Sequence, residues 1–436
     1  MGLKMPRIAW MAILFLSALS LGARAYDYPI QDRFAATIVG TPEKYAAVLP
    51  AHVPVKVYEL PGIKEIPRQF WYQKGLKFSV AKQKGRAPLV FLIAGTGAAY
   101  DSSKMVFLQK ALYGAGFHVV NISSPTHFNF IVNASTSSLP GYLPDDTLDL
   151  YRVMEQAWAL IRGDVEASEF SVGGYSLGGI NAAFLAAHDE QAGSFGFRHA
   201  LMINPPVDLY SSVTLLDGYL RDNVPAEEAG TFLDQVIDRL ATAYNPDNGM
   251  RLDGDFLFRA YERRGSFAED PLIEGGNAAA ALIGMSFRLS SSAMLFAGDV
   301  MARTGYIAPA DKNFGRAENL DYYAWASSHV PFARYVDELL VPELMKRHPG
   351  KTREQLLHEA SLRGIEPYIH SSSKIYALTN ADEIILAPGE LEYLRAELGE
   401  RIHIYPYGGH CGNISYRDNV RDIIAVFRGE ALASGA

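Results

Sequence analysis

A single cysteine, Cys411, in a chain of 436 residues excludes an internal disulfide, so stability must come from the core. Charge is sparse as well: 20% of residues are charged and the formal net charge is −8, which argues against a polyanionic partner such as nucleic acid. There is no internal repeat and no low-complexity tract. No HExxH or comparable ligand spacing occurs among the histidines, so neither a metal nor another cofactor is expected. The longest apolar stretch, 278–301, is interrupted by Arg288 and closed by Asp299, so it does not read as a membrane span. What remains is an ordinary globular composition, 49% hydrophobic, with core enough for one large domain or two medium ones.

The first residues read as a targeting segment. Lys4 and Arg7 precede an apolar run over 8–22, and Ala23-Arg24-Ala25 supplies a small-x-small site. These are the parts of a secretory signal peptide, with a run shorter than the ~20 residues that cross a bilayer. Cleavage after Ala25 takes the formal charge to about −11 and leaves no membrane span. The expected address is periplasmic or secreted.

Beyond 26–87, an N-terminal extension with an expected β-hairpin of 70–72 and 76–80, the pattern alternates strand and helix. Pro88 to Ala94 is a continuous apolar run of the kind found in a strand buried on both faces. Helix, strand, helix and strand signals then follow through 200–204. This order predicts a mostly parallel, doubly wound α/β sheet over 88–206. From 207 to 370 the alternation gives way to helical segments, including 213–220, 226–243, 256–263, 278–301, 322–336 and 353–362. The 278–301 stretch reads as a buried helix of an inserted cap, whose apolar side can also line a pocket for an acyl or aromatic group. Strand and helix alternate again over 371–436.

In such sheets ligands bind outside the carboxyl ends of the strands. Two glycine-rich turns fall there. Gly95-Thr96-Gly97 lacks the third glycine of a dinucleotide fingerprint, having Tyr100 at that position, and Ser123-Ser124 stands where that fingerprint expects an acid. Gly174-Tyr175-Ser176-Leu177-Gly178 lies between the strand signal at 170–172 and a helix-forming run from Ile180. A serine nucleophile must stand clear of the backbone, and a sharp strand-to-helix turn does this at the cost of room for neighbouring side chains. The string also arises by chance, so its weight depends on partners. A base and an orienting acid are required. Asp382 closes the strand at 374–379, with Glu383 beside it as the alternative acid. His410 follows the strand at 401–405, 28 residues after Asp382 and set among Gly408, Gly409 and Gly412. Cys411 reads as a small buried residue, and His127 as a loop histidine or a pocket wall.

Serine, acid and histidine in this order resemble the α/β-hydrolase superfamily, with Gly174-x-Ser176-x-Gly178 as the nucleophile elbow and a cap after the sixth core strand. The resemblance covers about 88–206 and 374–428. It implies a serine hydrolase cleaving a carboxylic ester through an acyl-enzyme, with Ser176 as nucleophile, His410 as proton shuttle and Asp382 as orienting acid. Backbone N–H groups of Leu177 and Thr96 would form the oxyanion hole, with Gly97 as the alternative to Thr96. The implied partner is a small-molecule ester or lipid-like substrate. An amidase or peptidase on the same residues, or a non-catalytic binding relative, are the rival readings.

Overall fold

The computed structural model describes residues 26–225, 230–232, 234 and 277–432. The expected signal peptide at 1–25 and the helix at 256–263 lie outside them, as does most of the helix expected at 226–243.

Eight strands form one sheet: β1 (Val55–Leu60), β2 (Leu76–Ala81), β3 (Ala87–Ile93), β4 (His118–Ile122), β5 (Ala167–Tyr175), β6 (Ala200–Ile203), β7 (Ile375–Asn380) and β8 (Ile402–Tyr405). Their spatial order is β1-β2-β4-β3-β5-β6-β7-β8. The β1–β2 and β2–β4 pairs are antiparallel, and every pair from β4 through β8 is parallel. This is the expected doubly wound arrangement, and the period of two along β3 shows why it holds together. Leu89, Phe91 and Ile93 enter one core with Met154 and Ala157 of α4 (Leu143–Ile161) and Ile180 and Ala183 of α5 (Leu177–Ala192). Val90, Leu92 and Ala94 enter a second core with Met105, Leu108 and Leu112 of α2 (Ser103–Gly114), joined by Ile423, Val426 and Phe427 of the helix Arg417–Arg428. A strand covered on both sides needs apolar residues at every position.

The hairpin expected from 70–72 does not form. Arg68–Gln73 is a 3₁₀ turn entered from Pro67, with Phe70 buried against Phe296 and against Phe128 of α3 (Phe128–Asn133), while Trp71 and Tyr72 stay exposed. The partner of β2 is β1, paired from Val55↔Ala81 to Leu60↔Leu76. Most of β1 faces solvent, as an edge strand does, so it carries no alternating signal.

Between β6 and β7 the regular elements among the described residues are helices. They include α6 (Leu209–Arg221) and α7 (Ala278–Ala302), which pack on one another. By length and composition α7 could cross a membrane, yet most of it is buried inside the protein. Arg288, midway along it, pairs with Asp217 of α6 at 3.1 Å, and both side chains are nearly buried. The helix expected over 322–336 is broken at Pro331 into Asp321–Ser328 and Phe332–Tyr335. A π-helical turn, Val336–Leu340, follows and leads into Val341–Arg347.

At the start of the described chain, α1 (Arg33–Val39) is capped by the Asp32 carboxylate, which accepts the Ala35 N–H. It packs against the loop that follows β8, the far end of the sequence.

Candidate active site

Ser176 sits between β5 and α5 with φ 55° and ψ −126°, a conformation that strains any residue bearing a side chain. Neighbouring backbone holds it there: Ser176 N–H donates to Ile203 O at 2.8 Å, and Gly179 N–H donates to Ser176 O at 2.9 Å. The flanking glycines are required by space. A Cβ on Gly174 would strike the carbonyl of Gly178, and one on Gly178 would strike the carbonyls of Ile93 and Ala94. Because the obstacles are backbone, they cannot turn aside. Gly178→Ala is therefore expected to destabilise the fold by at least about 1–3 kcal/mol, the usual cost of overpacking, read as a lower denaturant midpoint. An unchanged midpoint would contradict the tight turn.

His410 Nε2 lies 2.9 Å from Ser176 Oγ, across 234 residues of sequence. The other ring nitrogen, Nδ1, lies 2.8 Å from Glu383 Oε1. Asp382, the acid expected here, faces elsewhere: its two oxygens accept the N–H groups of Gly409 (3.0 Å) and Gly408 (3.2 Å). Two adjacent acids at a turn diverge, and the turn assigns them different work. Glu383, with the longer side chain, reaches the imidazole, while Asp382 ties down the backbone just ahead of it.

Glu383 is held firmly. Its side chain is 1% exposed; Oε1 also accepts the N–H groups of Ile384 (2.9 Å) and Ile385 (3.3 Å), and Oε2 accepts from Asn204 Nδ2 at 2.7 Å. Asn204 closes β6 with a positive φ of 46°. The histidine loop is equally constrained. His410 N–H donates to Thr37 Oγ1 of α1 at 2.8 Å, and Asn380 Nδ2 donates to Gly409 O at 2.6 Å. A Cβ on Gly409 would collide with Arg33 O, and one on Gly412 with Ala36 O, so the loop rests directly on the backbone of α1. Neither Asn204 nor Thr37 stands out in the sequence. Asn204 lies at a strand end ahead of Pro205-Pro206, a faint signal, and Thr37 carries none.

The electrostatics follow from these contacts. Burial of the His410 ring works against its charged form, but the adjacent Cys411 sulfur and the Glu383 carboxylate outweigh it and hold its pKa above the ordinary histidine value. Burial also raises Asp382, aided by the neighbouring Glu383 charge, while the two glycine N–H groups pull it down in part. Cys411 is buried with φ 59°, and its Sγ lies 3.9 Å from His410 Nε2. His127 accepts the Asn129 N–H as a helix cap and is not among the residues lining the cavity beside the serine.

Ser176, His410 and Cys411 line a cavity of about 160 Å³, whose walls include Thr96 and Leu177 and, from the helices between β6 and β7, Val213, Ile283 and Phe287. Leu177 is the first residue of α5, where a helix N–H has no intrahelical acceptor. Of the two candidates in the loop after β3, Gly97 N–H donates to Thr126 Oγ1 at 2.8 Å, and Thr96 lines the cavity beside Ser176. The line from serine oxygen through imidazole to buried carboxylate can draw a proton off the hydroxyl and stabilise the imidazolium that results.

No protein-family model matches the chain, and no curated protein sequence matches it significantly. Solved structures with a similar course of the chain exist at low identity. A structure of DcsB in complex with its substrate analogue is 13% identical and covers 87% of this chain and 100% of its own, with a TM-score of 0.42. One describing two fungal esterases from Rhizomucor miehei is 13% identical, covers 91% and 86%, and has a TM-score of 0.41. A bacterial heroin esterase is 15% identical, covers 88% and 86%, and has a TM-score of 0.40. The strand order, with the serine on a strained turn between β5 and α5, gives this chain an α/β-hydrolase fold.

Proposed function

We propose that the protein is a serine hydrolase that cleaves a carboxylic ester through an acyl-enzyme. The observation that carries this reading is the unbroken chain of contacts from Ser176 Oγ to His410 Nε2 and from Nδ1 to the buried Glu383. Each member answers a chemical need. A serine alcohol is a poor nucleophile at neutral pH, so His410 takes its proton as Oγ bonds to the ester carbon. The oxygen of the resulting tetrahedral adduct carries negative charge, which the N–H groups of Leu177 and Thr96 receive. One such donor is worth about 2.7–4 kcal/mol in known cases. Collapse breaks the bond to the alcohol, His410 hands its proton to the departing oxygen, and the acyl group remains on Ser176. Water then repeats the sequence with His410 again as base, releasing the acid and restoring the serine. Glu383 fixes the tautomer throughout, keeping the Nδ1 proton between itself and the ring and the Nε2 lone pair on the serine.

A fluorophosphonate probe tests the reading directly, because only an activated serine reacts with it. Stoichiometric labelling at Ser176 supports the assignment; an unlabelled, folded protein refutes it.

The raised pKa of His410 sets the pH dependence. Catalysis needs the neutral ring, so kcat/KM rises with pH as His410 loses its proton. Because that pKa lies above the ordinary value near 6.5, the acidic limb of the profile is expected above pH 6.5 and the optimum on the alkaline side. A limb at or below pH 6.5 would contradict the raised pKa of His410.

We further infer that residues 1–25 direct export, with cleavage after Ala25. Lys4 and Arg7 ahead of the apolar run 8–22, and the small-x-small site at Ala23-Arg24-Ala25, support this reading, and Tyr26 just beyond them is tied to the protein: its hydroxyl accepts from Asn413 Nδ2 at 2.8 Å and its ring stacks on Tyr405. N-terminal sequencing of secreted material tests it, with Tyr26 as the expected first residue and an intact Met1 as the contrary result.

A further inference from the structure

A second cavity adjoins the first, and the two share Thr96, Leu177, Leu209, Val213 and Phe287 as a common wall. Its far side is built by Phe332, Val336, Leu340, Leu344 and Leu356, from the helical segment between β6 and β7 and largely from its π-helical turn and flanking helices. Three of the four side-chain hydroxyls in its lining are already engaged. Thr126 Oγ1 accepts the Gly97 N–H, the Tyr142 hydroxyl donates to Glu359, and the Tyr210 hydroxyl donates to Asp337 Oδ2. Beyond Thr96 and Leu177 at its mouth the remaining walls are mostly apolar, and desolvating a polar or charged guest there without a partner is costly.

The two cavities also differ in what they hold. The first contains Ser176 and His410; the second contains Thr96 and Leu177 but neither of those. That difference bears on how an ester lies in the site. His410 must reach the leaving oxygen to deliver its proton, so the alcohol portion occupies the chamber that His410 lines. The acyl portion, whose carbonyl oxygen is received by Leu177 and Thr96, then extends past them into the second chamber.

Resting on the serine-hydrolase reading, we propose that this second chamber is the acyl-binding site and that it selects short unsubstituted apolar acyl groups. At about 50 Å³ it has room for roughly four groups of water or methylene size. The chamber fills with chains of about four to six carbons, and longer chains must displace its walls. Each methylene buried there is worth roughly a fourfold gain in kcat/KM until the space is full.

The experiment is a series of p-nitrophenyl esters from acetate to dodecanoate on the intact protein, paired with acetates of alcohols of increasing length. A rise of roughly fourfold per methylene from acetate to butyrate or hexanoate, then a fall by octanoate, supports the proposal. Leu344→Ala, which enlarges the far wall, should move the optimum to longer chains. Leu340→Trp, which fills the chamber, should lower the hexanoate-to-acetate ratio at least tenfold. Should either variant fail to fold, the wild-type series decides alone. A flat acyl profile, or a length preference that follows the alcohol instead, overturns the chamber assignment while leaving Ser176 labelling and acetate turnover intact. Loss of labelling and of turnover on every ester overturns the serine-hydrolase reading, and the acyl site with it.

Discussion

Ser176→Ala is expected to lower kcat on p-nitrophenyl butyrate by on the order of 10⁴–10⁶-fold while leaving the unfolding midpoint within about 1 kcal/mol of the parent. The size of the loss follows from the covalent route. Without Oγ no acyl-enzyme forms, and what remains is water acting on an ester held against the oxyanion donors. The modest structural cost has its own reason. Ser176 adopts φ 55°, where alanine is no better accommodated than serine, and the hydroxyl gives up its hydrogen bond with His410 at 2.9 Å. A folded Ser176→Ala protein that retained more than a hundredth of parental turnover would end the nucleophile assignment.

The second large effect separates two adjacent acids. Glu383→Gln is expected to lower kcat by on the order of 10³–10⁴-fold, because an amide placed against Nδ1 permits the tautomer that points a proton at the serine. Asp382→Asn is expected to cost less than about tenfold in kcat. Its burden falls on stability, about 1–3 kcal/mol, since the amide can accept one glycine N–H but must turn an NH₂ toward the other. Steady-state kinetics beside chemical denaturation distinguishes the outcomes. If Asp382→Asn proved the catalytic lesion and Glu383→Gln the silent one, the contact between Glu383 and His410 would be incidental.

The sheet was legible because its signals are local. The unbroken apolar run of β3 is what burial on both faces demands, and the glycines around Ser176 announce a turn that the backbone of Ile93 and Gly178 leaves no room to decorate. The features that escaped depend on distant partners. Val55–Leu60 is a strand because Leu76–Ala81 lies beside it, and its exposed face shows no alternation. Phe70-Trp71-Tyr72 has the composition of a strand, yet Pro67 and the pocket formed by Phe128 and Phe296 set it in a turn. Asp382 and Glu383 both close the same strand, so spacing alone could not separate them; the direction each takes depends on Gly408, Gly409 and Asn204, contributed by other segments. Thr37 acts across 373 residues, a range no local pattern reports.

That last interaction has a consequence for when the site is assembled. During synthesis Ser176 and its elbow emerge well before Glu383 and His410, which follow more than 200 residues later. The loop carrying His410 then has to settle on α1, among the first segments made. The alignment of Ser176, His410 and Glu383 is therefore complete only once an early segment and a late one have met. A nascent or half-folded polypeptide carries the serine of the elbow without the histidine and the carboxylate that line up behind it.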